Sequence, residues 1–327
     1  MHDAPLLKPR AVPPGGRVAI IAPASPFPRD EFEAGVAEVR RLGFELVIDP
    51  GVFDRRGYVA GDARSRAQAL MLAWQDPAIA AVLTARGGYG SVELLPYLSI
   101  ETLRQSPKVL VGYSDITALL SFLTTRCRVT AVHGPTLTGR LSGGPAAYDR
   151  ASFLAALTTA SAVGTLPAPG LECILPGEVE GPVLGGNLTQ LAASMGTPYA
   201  FDPPDGCVLF LEDVNERPYR IDRLLTQLSQ CGVLQRARAL VFGEFPGCDE
   251  PDGTITARDV VAAAVRGCAG PVVWGLPVGH TSGPTLTLPL GVCVRVLTEP
   301  QPAVIVLESA VVDEPRVPSP ESRIPSA

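Results

Sequence analysis

Apolar positions in the first half of the chain fall into two alternating patterns, short unbroken runs and sets at helical spacing. Val18 to Ala22 is an apolar run that ends at Pro23, the pattern of a buried strand. Phe32, Val36 and Val39 then recur at helical spacing behind Asp30, which is suited to cap that helix, and Gly43 is placed to end it. Phe44 to Ile48 reads as the next strand, and Asp62 opens a helix that runs to about Gln75 and closes at Asp76-Pro77. Ala80 to Ala85 and Lys108 to Val111 are further strands, each followed by a Gly-containing turn and a helical segment, and Val129 to Val132 adds one more. Strands alternating with helices predict parallel βαβ units, and so an α/β fold with a doubly wound parallel sheet.

The pattern changes between about Ser142 and Gly181, where VGTLPAPGLECILPGEVEGP is rich in Gly and Pro and reads as a crossing between domains. The second half has more short strands: Cys207 to Leu211, Ala239 to Phe242, Val272 to Val273, Val292 to Leu297 and Ala303 to Leu307. Helices are expected there at Ile221 to Gln230 and Ala257 to Arg266. The resulting division is residues 1–160, a linker at 161–180, a β-rich α/β domain at 181–312, and a Pro- and Ser-rich tail at 313–327 that is expected to be disordered.

Composition narrows the possible partners. A formal net charge of -6 over 327 residues argues against nucleic acid, whose binding relies on concentrated Lys and Arg. No run of eighteen apolar residues occurs, so no membrane span is expected. The opening MHDAPLLKPRAV lacks the apolar stretch of a secretory signal. The seven cysteines are scattered singly without a CxxC pair, which disfavours a zinc ribbon or a thioredoxin-like site. Reduced thiols and a cytoplasmic location are the expectation.

The strongest chemical signal is KVLVGYSDITALLSFL, where a β-run ends at Gly112-Tyr113-Ser114-Asp115 and a helix follows at once. A serine on such a turn projects its hydroxyl beyond the sheet, toward the first amides of the next helix. The pattern is Gly-x-Ser-x-Ile, with Ile116 where α/β-hydrolases usually have a second glycine; the structural alternative is that Ser114 or Asp115 merely caps the helix. The loop Arg86-Gly87-Gly88-Tyr89-Gly90 fits neither common nucleotide-phosphate motif. A backbone N–H of Gly87 or Gly88 aimed at a developing oxyanion is the better reading, against a plain tight turn.

A serine nucleophile needs a base, and the chain has three histidines. His2 lies in the terminus, His133 follows a strand, and His280 sits in the Gly- and Pro-rich loop of GLPVGHTSGPTLTLPLG. A carboxylate must orient the imidazole. The segment LEDVNERPYRIDR offers Glu212, Asp213, Glu216 and Asp222. Glu212 is favoured because it follows directly on an apolar strand.

The blocks RGGYG, VGYSDITAL, VLGGNLTQL, LFLEDVNERPYRIDRLL, LVFGEF and GLPVGHTSGPTLTLPLG, in this order, resemble the LD-carboxypeptidases, also called muramoyltetrapeptide carboxypeptidases, over roughly Gly16 to Leu307. The resemblance implies a Rossmann-like N-terminal domain carrying Ser114 as nucleophile and a C-terminal β-rich domain carrying Glu212 and His280. His133 has no role in that pattern and is expected to pack a loop. The implied reaction is release of terminal D-alanine from a murein tetrapeptide in cytoplasmic cell-wall recycling. Backbone amides of Gly88 and Asp115 would receive the oxyanion, and Arg86, beside the Gly loop, is the candidate for the substrate carboxylate. No metal or organic cofactor is expected, and a homodimer is implied. Relatives that cleave microcin C-type peptidyl-adenylates supply an alternative within the family. A non-catalytic two-domain ligand-binding protein is the alternative outside it.

Overall fold

A computed structural model describes residues 6–314 of the chain. Most of the tail expected to be disordered, residues 315–327, lies outside them, as does His2. The first half supplies β1 (Arg17–Ile21), β2 (Glu45–Ile48), β3 (Ile79–Thr84), β4 (Val109–Gly112) and β5 (Ala131–His133). These five pair in parallel in the order β5-β4-β3-β1-β2. The helix Ala63–Gln75 starts as its sequence dictates, with Asp62 accepting the Ser65 amide at 3.0 Å. The helix Arg29–Arg41 differs from expectation at its start. Pro28 occupies the cap position with no side-chain cap bond, and Asp30 lies in the first turn, where its charge complements the helix dipole.

The second half supplies β6 (Gly164–Thr165), β7 (Glu172–Leu175), β8 (Glu178–Asn187), β9 (Cys207–Glu212), β10 (Ala237–Phe242), β11 (Val272–Trp274), β12 (Leu288–Leu290), β13 (Cys293–Leu297) and β14 (Ala303–Val306). Eight of these form a mixed sheet in the order β6-β14-β13-β8-β9-β10-β11-β7. The Gly- and Pro-rich stretch 161–180 thus contains β6, β7 and the start of β8, all of them members of this sheet.

The ninth, β12, leaves the second sheet and pairs antiparallel with β5, Leu288 opposite His133. It becomes the edge strand of the first sheet. The two sheets therefore share one apolar interior, in which Val111, Val132 and Leu288 join Val208, Phe210 and Val241. A smaller core on the far side of the second sheet holds Leu209, Leu211, Ile221, Leu225 and Phe242. Among the described residues no helix is long and apolar enough to cross a membrane.

Both sheets present the carboxyl ends of their parallel strands to one crevice. The Asn187 amide at the end of β8 donates to Thr117 Oγ1, just past the turn that follows β4, at 3.0 Å. Open α/β sheets bind ligands outside the carboxyl ends of their strands, and here two such edges meet.

Candidate active site

Four segments enter the crevice: the turn after β4, the loop after β3, the end of β9, and the loop between β11 and β12. β4 ends at Gly112, and Ser114 opens a single turn of 3-10 helix before the helix Thr117–Ser121. Ser114 has φ 64°, a left-handed backbone that costs a non-glycine residue about 1–3 kcal/mol and persists only where its surroundings hold it. A strained serine on a strand-to-helix turn is the geometry of a nucleophile elbow.

The surroundings that hold it are the neighbouring loop. A Cβ on Gly87 would stand 2.9 Å from the Ser114 Cβ, so only glycine lets this loop lie against the serine. Asp115 couples the two segments. Its Oδ2 accepts the Ser91 amide at 2.8 Å, and its carbonyl accepts the Ser91 hydroxyl at 2.6 Å. Burial pushes the Asp115 carboxyl above its ordinary value, although hydrogen bonds from Ser91 to the carboxyl oppose the rise. Arg66, itself buried, donates from behind to the carbonyls of Gly61 and Gly90. The amide of Gly88 donates to no acceptor among the described residues. Arg86 is exposed at the start of the loop.

The last residue of β9 is Glu212, with no exposed surface. Its Oε2 accepts two N–H groups of one residue, the His280 backbone amide at 2.9 Å and the His280 ring Nδ1–H at 2.7 Å. This double bond to a single oxygen fixes the ring's position and tautomer together. Gly279, with φ +81°, makes the approach possible, because a Cβ there would lie 2.7 Å from Glu212 Oε2. Burial alone would raise the Glu212 carboxyl, but the adjacent His280 holds it below its ordinary value. Burial likewise opposes charge on His280, and the Glu212 carboxylate overrides it and raises the imidazole's pKa.

The alternation of β9 separates Glu212 from its neighbour. Asp213 turns away to accept from Asn187 Nδ2, the Thr189 amide and the Thr189 hydroxyl. Glu216 pairs instead with Arg220. Of the four acids in this segment that sequence reasoning weighed, Glu212 is the one bonded to His280.

The imidazole packs edge-on against Tyr113, the residue before Ser114, with ring centroids 5.0 Å apart. The loop that carries His280 is clamped from the first half of the chain. Arg140 donates to the carbonyls of Thr281 at 2.8 Å, Gly283 at 3.1 Å and Gly279 at 3.4 Å. On the other side the Ser282 amide donates to Glu244 at 2.7 Å. Sequence reasoning missed Tyr113, Arg140, Glu244 and Ser91. Tyr113 alone had a signal, its place beside the serine; the others act through contacts between segments far apart in the chain.

The chain has counterparts among known proteins. The family profile described as the LD-carboxypeptidase N-terminal domain matches residues 18–134, and that of the LD-carboxypeptidase C-terminal domain matches residues 180–296. A putative carboxypeptidase of Streptomyces coelicolor is 38% identical over 291 residues, covering 88% of this chain and 92% of the relative. The murein tetrapeptide carboxypeptidase of Pseudomonas aeruginosa is 35% identical over 278 residues, 82% of this chain and 89% of that one. Among solved structures, the microcin C7 self-immunity protein MccF in complex with aspartyl sulfamoyl adenosine superposes with a TM-score of 0.87 at 26% identity, covering 93% of this chain and 99% of that one.

Proposed function

This chain belongs to the LD-carboxypeptidase family, and from that premise we propose that it is a serine peptidase that releases the terminal D-alanine of murein tetrapeptides through Ser114, His280 and Glu212. The observation that carries the proposal is the buried bond from His280 Nδ1 to Glu212 Oε2 at 2.7 Å, in the crevice that also holds the strained Ser114. With Nδ1 committed to the carboxylate, Nε2 is the nitrogen left to take a proton.

In the proposed reaction, the Ser114 hydroxyl attacks the scissile carbonyl while His280 Nε2 accepts its proton. Glu212 stabilises the imidazolium that results and is not itself protonated. The tetrahedral oxyanion is received by the backbone amides of Asp115 and Gly88, each such donor worth about 3–4 kcal/mol of barrier. Collapse expels D-alanine, whose amine takes the proton from His280. A water then repeats the sequence on the acyl-Ser114 ester and releases the shortened peptide. Arg86, exposed beside the Gly loop, is assigned to the terminal carboxylate of the substrate.

A second reading, hydrolysis of peptidyl-adenylates with the same three residues, is favoured by the similarity to the microcin C7 self-immunity protein, whose solved complex holds an aminoacyl sulfamoyl adenosine. Mass spectrometry of the protein incubated with a murein tetrapeptide and, separately, with a peptidyl-adenylate tests both. Tripeptide plus free D-alanine, absent with Ser114→Ala, is the expected result. Cleavage of the adenylate alone reverses the assignment, and full activity in Ser114→Ala removes the serine mechanism.

A further inference from the structure

His133 closes β5 and has no exposed surface. Its backbone is in register with Gly112, two residues before Ser114, and with Leu288 of β12. Its ring is wedged between two aromatic rings, Tyr113 at a centroid distance of 6.2 Å and Phe210 at 5.3 Å. Strand residues two apart share a face, so Phe210 and Glu212 project to the same side of β9. The His133 ring therefore packs on the side of β9 that carries the carboxylate.

Four buried polar atoms in this region have no hydrogen-bond partner among the described residues: Nδ1 and Nε2 of His133, Oε1 of Glu212, and Oγ1 of Thr287 beside Gly134. Buried polar side-chain atoms are nearly always partnered by protein or by ordered water, and a carboxylate oxygen is among the costliest to leave bare. His280 spends both of its N–H groups on Oε2 and leaves Oε1 unserved. A neutral imidazole offers one donor and one acceptor, and burial keeps His133 neutral by lowering its pKa to about 4.

We propose that His133 is a positioning residue for the Glu212–His280 pair, its ring N–H serving the free Oε1 of Glu212 through an enclosed water. The carboxylate is then held at both oxygens, by His280 on one side and by His133 on the other. His133 has no exposed surface and acts through Glu212. The inference deepens the Ser-His-Glu reading and rests on it for its catalytic meaning, whereas the linkage between the two histidines is a property of the folded chain.

Charged and titratable groups around the pair are Asp213, Arg140, Tyr113 and His133 itself. With the partner of Oε1 removed, the carboxylate is less well stabilised while His280 is neutral, and the pair takes up a proton more readily. His133→Phe keeps the ring between Phe210 and Tyr113 and deletes both nitrogens. In a titration followed by NMR of ¹⁵N-histidine-labelled full-length protein, His280 is expected to titrate about one pH unit higher in this variant, a tenfold gain in proton affinity. His133→Gln, which retains a donor and an acceptor, is expected to restore the wild-type titration.

An unchanged His280 titration in His133→Phe, or the same shift in His133→Gln, overturns the proposal. Should neither variant fold, the wild-type spectrum decides. A protected His133 ring N–H with a cross-relaxation peak to bound water supports the bridge, and a ring N–H without one removes it. None of these measurements uses substrate, so failure of the murein assignment and failure of this linkage are read separately.

Discussion

At the scale of single residues, the site turns on one carboxylate oxygen. Glu212 Oε2 accepts both N–H groups of His280, so replacing the carboxylate with its amide removes the charge and turns one of the two acceptor oxygens into a donor. Glu212→Gln is expected to lower kcat by roughly 10³- to 10⁴-fold, the scale seen when a triad imidazole loses its orienting acid, with KM little changed. Steady-state kinetics on the tetrapeptide checks this. The pH dependence follows with a definite sign. As the proposed base, His280 acts only when neutral, and Glu212 raises its pKa above the ordinary value. The acidic limb of kcat/KM is therefore expected above about pH 6.5, the unperturbed imidazole value. In Glu212→Gln the raising charge is gone while burial remains, so that limb moves down.

His133 carries a separate acid signature in stability. Its folded pKa is depressed to about 4 by burial, so below the unfolded value of about 6.5 the unfolded chain binds a proton that the native state refuses. The stability it contributes is intact above about pH 6.5 and is lost as the pH falls toward 4, a loss of about 3 kcal/mol from this one group. Urea unfolding at pH 7 and pH 4.5 is expected to show His133→Phe losing less stability on acidification than the wild type.

At the scale of elements, what the sequence revealed and what it hid separate on physical grounds. Local patterns were legible: the apolar runs that became β1 to β5, the Asp62 cap, the turn at Ser114, and Glu212 at the end of an apolar strand. β8 was not, because Gly181, Pro182, Gly185 and Gly186 are turn residues by composition, yet they lie within the ten-residue strand Glu178–Asn187. β12 was equally hidden, since LPL has no alternation and its pairing with β5 is decided by a contact across about 155 residues. The assignment of His280 as base needed the family blocks, because nothing local distinguishes its loop from any other Gly- and Pro-rich connection. The loop gets its shape from Arg140, whose three carbonyl acceptors lie about 140 residues away. Arg140→Ala is expected to leave the fold intact and to lower kcat by about 10- to 100-fold, since displacement of a catalytic group by about 1 Å can cost 10²-fold. Circular dichroism and kinetics on the same preparation separate the two effects.

At the scale of the whole molecule, the two sheets share one core and exchange a strand. β12 belongs in sequence to the second half and in space to the first sheet. The main apolar core draws Val111, Val132 and Leu137 from one half and Val208, Phe210, Val241, Val294 and Val304 from the other. Such an interface resembles a continuous interior more than the polar contact between independent domains. The proposed site draws Ser114 from the turn after β4, Glu212 from the end of β9 and His280 from the loop before β12, so relative motion of the sheets would separate its parts.

The chain supplies its own reporters for the cooperativity this implies, one tryptophan in each half. Trp74 is fully buried in the helix that covers the first sheet, and Trp274 lies at the end of β11 in the second. Denaturation followed by fluorescence in Trp274→Phe reads the first environment, and in Trp74→Phe the second. Each variant will be less stable than the wild type, by an amount that circular dichroism measures independently. The expected outcome is that, in each single-tryptophan variant, the fluorescence midpoint coincides with the midpoint for loss of total secondary structure. A fluorescence transition that precedes or trails the backbone transition in either variant would mean that the halves unfold separately. The shared core would then be too weak to hold the two halves of the proposed site together.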